Sequence, residues 1–238
     1  MLKTVARLFA ALAVSASAPA LALDLNIIAP IQRDFRVVSE DLIATVDYKA
    51  LGPAEAGGVS GFSAGALGSY VPVNDKAAWK RLTGEDVDEL GLIGLSISKG
   101  FPFHIDVGAF YSTLPQTDVN VFGGELRYAL SPGSTLMPAL ALRGSYVRVI
   151  GIRDFDLEST SVDVSVSKGF AIFTPYAGIG GVYGESDPHG TPGLQKENIR
   201  AFKLYAGMRI GFTLMEVTPE YSLIGGTSAF SLKAGVGF

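Results

Sequence analysis

Chemistry in this chain has to come mainly from charged side chains, because the sequence holds two histidines and no cysteine. His104 and Asp106 stand two apart, a spacing that puts both on one face of a strand. A base and its orienting carboxylate are one reading of that pair; a hydrogen bond in a polar interior is the plainer one and carries more weight. His189 lies among Pro188, Gly190 and Pro192, a loop setting in which a polar side chain is ordinarily solvated. Two distant histidines without a thiol do not make a metal centre, so neither a metal nor a cofactor is expected. A set of ten charges, Asp106 among them, is more informative. Arg127, Arg143, Lys203, Arg209 and Lys233 balance Asp106, Glu125, Asp163, Glu216 and Glu220, and each falls on the polar side of an alternating segment. Charges enclosed within a narrow wall must pair, since an isolated buried charge is very costly. A ladder of ion pairs filling an interior is therefore the expectation, with a polar permeation path as the functional alternative.

The elements that must position this set have a period of two. In 201–211, Phe202, Leu204, Ala206, Met208 and Ile210 alternate with Lys203, Tyr205, Gly207 and Arg209. In 160–168, Val162, Val164 and Val166 alternate with Ser161, Asp163, Ser165 and Ser167. In 103–110, Phe103, Ile105, Val107 and Ala109 oppose His104, Asp106 and Gly108. The pattern predicts ten strands, at 58–71, 90–98, 103–110, 120–129, 138–149, 160–168, 175–183, 201–211, 214–223 and 230–238. Mean hydropathy is mildly positive, yet no run approaches the ~18 apolar residues of a spanning helix. Strands apolar on one face only fit that combination. The preceding segment is different: Ile31, Phe35, Val38, Leu42 and Val46 recur at helical spacing, with Arg33, Asp34, Arg36, Glu40 and Asp41 between them. A short amphipathic helix is the reading, with a strand over 42–50 as its rival.

A soluble sandwich would alternate as well, and the two ends of the sequence weigh against it. Lys3 and Arg7, an apolar stretch from Leu8 to Val14 and Ala20-Leu21-Ala22 read as a secretory signal cleaved before Leu23. The last segment, Phe230-Ser231-Leu232-Lys233-Ala234-Gly235-Val236-Gly237-Phe238, alternates to a final aromatic on its apolar face. It resembles the assembly signal of Gram-negative outer-membrane β-barrel proteins of the small single-chain class. The resemblance implies an all-β, closed antiparallel transmembrane β-barrel, whose strand number is even in such proteins. Ten strands satisfy that rule, eight and twelve being the alternatives, whereas a strand at 42–50 would make eleven. The domain reading is a signal peptide at 1–22, a helical plug or periplasmic segment at 23–57, and the barrel at 58–238. The resemblance also implies outer-membrane lipid and lipopolysaccharide as surroundings, and the barrel assembly machinery as a partner during biogenesis.

Connection lengths set an orientation, since the two longest, 72–89 and 184–200, fall at one end and belong outside the cell. Ser96-Ile97-Ser98-Lys99-Gly100-Phe101 is echoed by Ser165-Val166-Ser167-Lys168-Gly169-Phe170, each copy at a turn of the opposite end. Lys99, Phe101, Lys168, Phe170 and Phe238 are read as interface anchors and assembly signal. The outside loop 72–89 carries the sole Trp79 with Lys76, Lys80 and Arg81, then Glu85, Asp86, Asp88 and Glu89. A grip on lipopolysaccharide phosphates is one reading, and an ordinary solvated loop is the plainer one. A net charge of −4 argues against nucleic acid. The functional expectation is a monomeric barrel of structural or surface-interaction role with a filled lumen. A narrow channel for small solutes is the alternative, and an outer-membrane protease or lipid hydrolase is less favoured, because no Ser, His and acid set falls on neighbouring strands at the outer rim. The protein is accordingly read as a non-enzyme.

Overall fold

The computed structural model describes residues 25–238 except Gln116, Thr135 and Gly190; the signal reading of residues 1–22 lies outside them. Helix α1 (Gln32–Val46) is followed by β1 (Phe62–Pro72), α2 (Lys76–Thr83) and β2 (Glu89–Phe101). Then come β3 (Ile105–Thr113), β4 (Asn120–Ser131), β5 (Ala139–Ile150), β6 (Phe155–Ser167), β7 (Phe173–Pro188), β8 (Glu197–Phe212), β9 (Met215–Ile224) and β10 (Thr227–Gly237). The ten strands pair antiparallel with their sequence neighbours, and β1 pairs with β10, so the sheet closes without an edge. Phe62 and Phe238 complete the seam by exchanging two backbone hydrogen bonds of 2.9 and 3.0 Å. The segment at 42–50 joins no strand: its first half completes α1.

The period-two alternation sorts side chains by face. Val162, Val164 and Val166 of β6 point outward and exposed, as do Phe202 and Leu204 of β8, while Asp163, Lys203 and Tyr205 are buried inside. This is a soluble fold inverted, with an apolar outside and a polar inside. Strand β3 departs from its expected start. Pro102–His104 form a 3-10 turn in which Phe103 and His104 adopt positive φ of 64° and 62°. The proline fixes φ and the turn takes both residues off the ladder, so His104 does not share a strand face with Asp106.

The apolar core sits inside one end of the barrel, around α1. Phe35, Val38, Leu42 and Val46 pack there against inward Val71, Leu90, Val121, Val147, Phe155, Leu157 and Ile199. Inward Gly184 makes room for the helix: a Cβ there would lie 2.2 Å from Ile43 Cδ1. Ile31 alone of the expected apolar stripe stays exposed, and Asp34 and Asp41, expected on a wet face, are buried. The helix is enclosed on most sides, so both carboxylates needed partners and found them. Helix α2 lies over α1, capped at its start by Asp75, whose side chain accepts from Ala78 N at 3.0 Å. Gly84, at φ 82°, ends it in the left-handed conformation that costs glycine least.

Candidate functional site: the barrel lumen

All ten charges of the expected set lie on the inner wall, and three pairs form within it. Arg127 Nη2 meets Asp106 Oδ2 at 2.9 Å, Arg143 Nε meets Glu125 Oε2 at 2.7 Å, and Lys233 Nζ meets Glu216 Oε1 at 2.8 Å. Arg127 and Arg143 stand directly opposite each other on β4 and β5, a repulsive cross-strand juxtaposition. Each is neutralised from another side, Arg127 by β3 and Arg143 by a diagonal acid on β4. Asp163 and Glu220 take no cation. The Tyr205 hydroxyl donates to Asp163 Oδ1, and the Tyr176 hydroxyl donates to Glu220 Oε2 at 2.8 Å. Gly178 leaves room for the Tyr205 ring, which a Cβ would approach within 2.3 Å.

Lys203 and Arg209 find their partners off the wall. After α1, residues 47–57 continue down the rest of the lumen as a strap that leads from the core end to the start of β1 at the other. Lys203 Nζ, fully buried, donates to Asp47 Oδ2 and to Tyr48 O, both at 2.7 Å. Arg209 Nη2 meets Glu55 Oε2 at 3.1 Å. The strap's backbone is held as well. Leu51 N donates to Glu220 Oε2 at 2.8 Å, Ala54 N to Ser167 Oγ at 3.0 Å, and Gly57 N to Asp106 Oδ1 at 3.1 Å. Arg127 Nη1 donates to Pro53 O at 2.7 Å. A peptide segment away from water must satisfy its amides and carbonyls, and the wall supplies the partners at matching heights.

The mouth at the long-loop end is closed by α1 and α2. Asp41 of α1 accepts from Trp79 Nε1 at 3.0 Å, Asn74 Nδ2 at 2.9 Å and Thr227 Oγ1 at 3.2 Å, so one carboxylate ties α1 to the β1–β2 connection and to β10. Burial pushes the Asp41 carboxyl up, and those hydrogen bonds act against the shift. Asp34 takes the forked guanidinium of Arg81 at 2.7 and 2.8 Å, whose hydrogen bonds hold its carboxyl below the usual range. Trp79 is fully buried under this lid. Lys76 pairs with Asp88 and Lys80 with Asp86. The 72–89 connection is thus neither an open solvated loop nor a row of unpaired cations.

At the short-turn end the lumen is not filled. A cavity of about 500 Å³ runs from the rim at Phe62, Ile172 and Phe238 up to Tyr48 and Leu92. It lies against the wall of β10, β1 and β2, whose inward positions are mostly Ser and Gly. The large inward residues stand on the opposite wall, where the strap is tied. Outside the lumen, His104 is exposed at this rim while Asp106 is buried on Arg127, so the H-x-D spacing assembles no pair. At the other rim His189 Nε2 lies 2.8 Å from Asp156 Oδ2, with both side chains about half exposed. Sequence spacing could not reveal that contact, which depends on the β6–β7 register. Among the described residues no group of metal-ligating side chains is gathered. The expected anchors take rim positions: Phe101, Phe170 and Phe238 are exposed, and Lys99 Nζ donates to Gly61 O at 3.1 Å. Lys168 Nζ likewise donates to Ser134 O at 2.7 Å. The repeated motif therefore does the same thing twice, reaching from a strand end to carbonyls of a neighbouring turn. The rings of Phe238 and Phe62 lie 5.7 Å apart across the seam.

No family model matches the sequence, and no curated protein matches it. The structural neighbours are small outer-membrane β-barrel proteins. The loop L8 deletion mutant of OmpT, an outer membrane protein of Vibrio cholerae, matches with a TM-score of 0.34 at 14% identity. That match covers 63% of this chain and 54% of the other, so the chain spans about half the length of that neighbour. The KdgM porin gives a TM-score of 0.38 at 9% identity, covering 74% of this chain and 99% of its own. The outer membrane protease OmpT of Escherichia coli gives 0.38 at 11% identity, covering 75% and 95%. Likeness at this level assigns no role.

Proposed function

We propose that this chain is an outer-membrane β-barrel with a closed lumen and a structural or surface-interaction role, the long-loop end facing outward. The exposed apolar band and the polar interior support a lipid-embedded barrel, since only a closed sheet satisfies every backbone group in hydrocarbon. The observation that carries the closed-lumen reading is the strap: residues 47–57 lie inside the barrel, hydrogen-bonded to the wall by side chain and backbone. A selective pore ordinarily displays one sign of charge, whereas here five ion pairs set both signs side by side along the lumen, and the helical lid stands over its outer mouth. The barrel rim would meet lipid and lipopolysaccharide, with the barrel assembly machinery as a transient partner, and the protein would act as a monomer without a cofactor. The alternative, a narrow channel for small solutes, draws on the cavity at the short-turn end. Planar-bilayer recording separates the two. The purified chain is expected to show no steady conductance at neutral pH, and a variant lacking residues 25–57 is expected to conduct. A wild-type chain with steady open conductance would overturn the closed reading and promote the channel.

A further inference from the structure

The cavity at the short-turn end contains a cation that the ion-pair network leaves over. Lys49 lines its inner part and is only 8% exposed. Its ammonium makes one hydrogen bond, to Ala44 O at 2.6 Å, where it caps the last turn of α1. Among the described residues the other five lumenal cations each have a carboxylate within ion-pair distance, and Lys49 has none. The two acids that act on it electrostatically lie beyond ion-pair distance. Asp47 is held by Lys203 and Ser159, and Glu220 Oε2 takes Tyr176 and Leu51 N while its Oε1 has no hydrogen-bond partner. A buried ammonium with one neutral partner is an expensive arrangement that a bound anion would relieve.

The wall facing the strap adds a set of hydroxyl groups. Ser96 and Ser98 of β2 and Ser69 of β1 line the cavity. Ser69 Oγ is buried without a hydrogen-bond partner. Gly100 and Gly237 line the cavity beside these serines, and the inward Gly65, Gly94 and Gly235 of the same wall pack so closely that a Cβ at any of the three would strike backbone of the adjacent strand at 2.7 Å or less. Hydroxyl groups on one side and a buried ammonium on the other suit a ligand that carries both an anion and several hydroxyls. The volume lies within the ordinary span of small-molecule sites, roughly 300–1,000 Å³.

We infer that the short-turn half of the lumen is a binding site for a small hydroxylated organic anion, with Lys49 as its counter-ion and the β1–β2 serines as its hydroxyl partners. The site opens at the end opposite the lid, so it is reached from the periplasm and leads nowhere beyond the strap. It rests on the position of the strap and holds whether or not the barrel ever conducts.

Calorimetric titration of the detergent-solubilised full chain with sodium gluconate tests it, with sorbitol and sodium acetate as companions. Gluconate is expected to bind saturably, acetate more weakly, and sorbitol not at all. Lys49→Met is expected to weaken gluconate by roughly tenfold or more, and Lys49→Arg to retain most of it. Where Lys49→Met fails to fold, Ser96→Val with Ser98→Val is expected to abolish binding in a barrel whose heat-modifiable mobility is unchanged. Absence of saturable gluconate binding by the wild-type chain would overturn the assignment. So would equal affinity for sorbitol, or undiminished binding by the Lys49→Met or the double serine variant. Conductance of the same preparation, recorded separately, reports on the closed lumen and not on this site.

Discussion

Buried ion pairs dominate the residue scale, and their value is asymmetric. Forming such a pair yields little net stability, because desolvation offsets most of the attraction, but removing one partner strands the other. Lys203→Met should therefore destabilise the barrel by about 3–5 kcal/mol, and Glu125→Ala should do the same through Arg143. Adding Asp47→Asn to Lys203→Met should recover part of that loss, since no charge is then stranded. Thermal unfolding followed by heat-modifiable mobility measures all of these, and equal stability of the single and double variants would count against the pairing. The two acids of α1 respond to pH in opposite senses. Asp34 has its carboxyl lowered by Arg81, so its contribution is present above the ordinary value of 3.8 and is lost as pH falls through the depressed one. Asp41 is raised by burial, so its contribution is present in acid and declines as pH rises above 3.8. Trp79 is the only tryptophan and is buried under the lid, which makes its fluorescence a direct reporter. Wild-type emission should shift to the red as pH falls below 3.8. In Asp34→Asn the lid should dock more weakly at neutral pH and lose that acid-side transition.

Two elements close the barrel, one along its seam and one across its mouth. The seam is local to β1 and β10, where Phe62 and Phe238 exchange backbone bonds and set their rings in tilted contact. Replacing Phe238 with Asp places a charge at an exposed aromatic position that the proposed orientation sets at the membrane interface. The yield of protease-resistant, heat-modifiable barrel should fall while export continues, as read from outer-membrane and periplasmic fractions. Across the mouth, Trp79 fills the space between α2 and α1 and gives Asp41 a donor. Trp79→Ala should cost about 3–5 kcal/mol in lid docking, combining a cavity with a buried acceptor left short of a partner. Limited proteolysis within 73–88 is the measurement, and unchanged resistance would show that the lid is held by other contacts.

For the whole molecule the notable fact is the direction of the strap. Ile27 N donates to Asp154 of the β5–β6 connection at 2.6 Å, and Ile28 N to Leu82 O at 2.8 Å, so residues 27–28 sit at the long-loop end. From there the chain descends through the lumen and starts β1 at the opposite end. It thus crosses the barrel's height eleven times, ten as wall and once as filling. The chain has no cysteine, so introduced thiols report without background. Ile28→Cys, at an exposed position, should react with a membrane-impermeant maleimide on intact cells. Leu136→Cys, exposed at the short-turn end, should react only after the outer membrane is opened. The reverse pattern would invert the orientation.

The sequence by itself determined the wall. Alternation has a period of two and is set residue by residue, so the ten strands, their inward charges and the helical spacing of α1 were all legible without knowing what lay nearby. Each inward charge of the set is where parity put it, from Asp106 on β3 to Lys233 on β10. Parity specifies a face and nothing about the contents of the space that the face encloses. That the upper inward positions are Val71, Val121, Val147 and Leu157, around an enclosed α1, depends on where the helix inserts. That Lys203 and Arg209 pair with Asp47 and Glu55 depends on a segment without periodicity threading a closed ring. The His189–Asp156 contact, the burial of Trp79 and the unpaired ammonium of Lys49 have the same origin. They are contacts between residues distant in sequence, fixed only when the sheet closes and the volume inside it becomes finite.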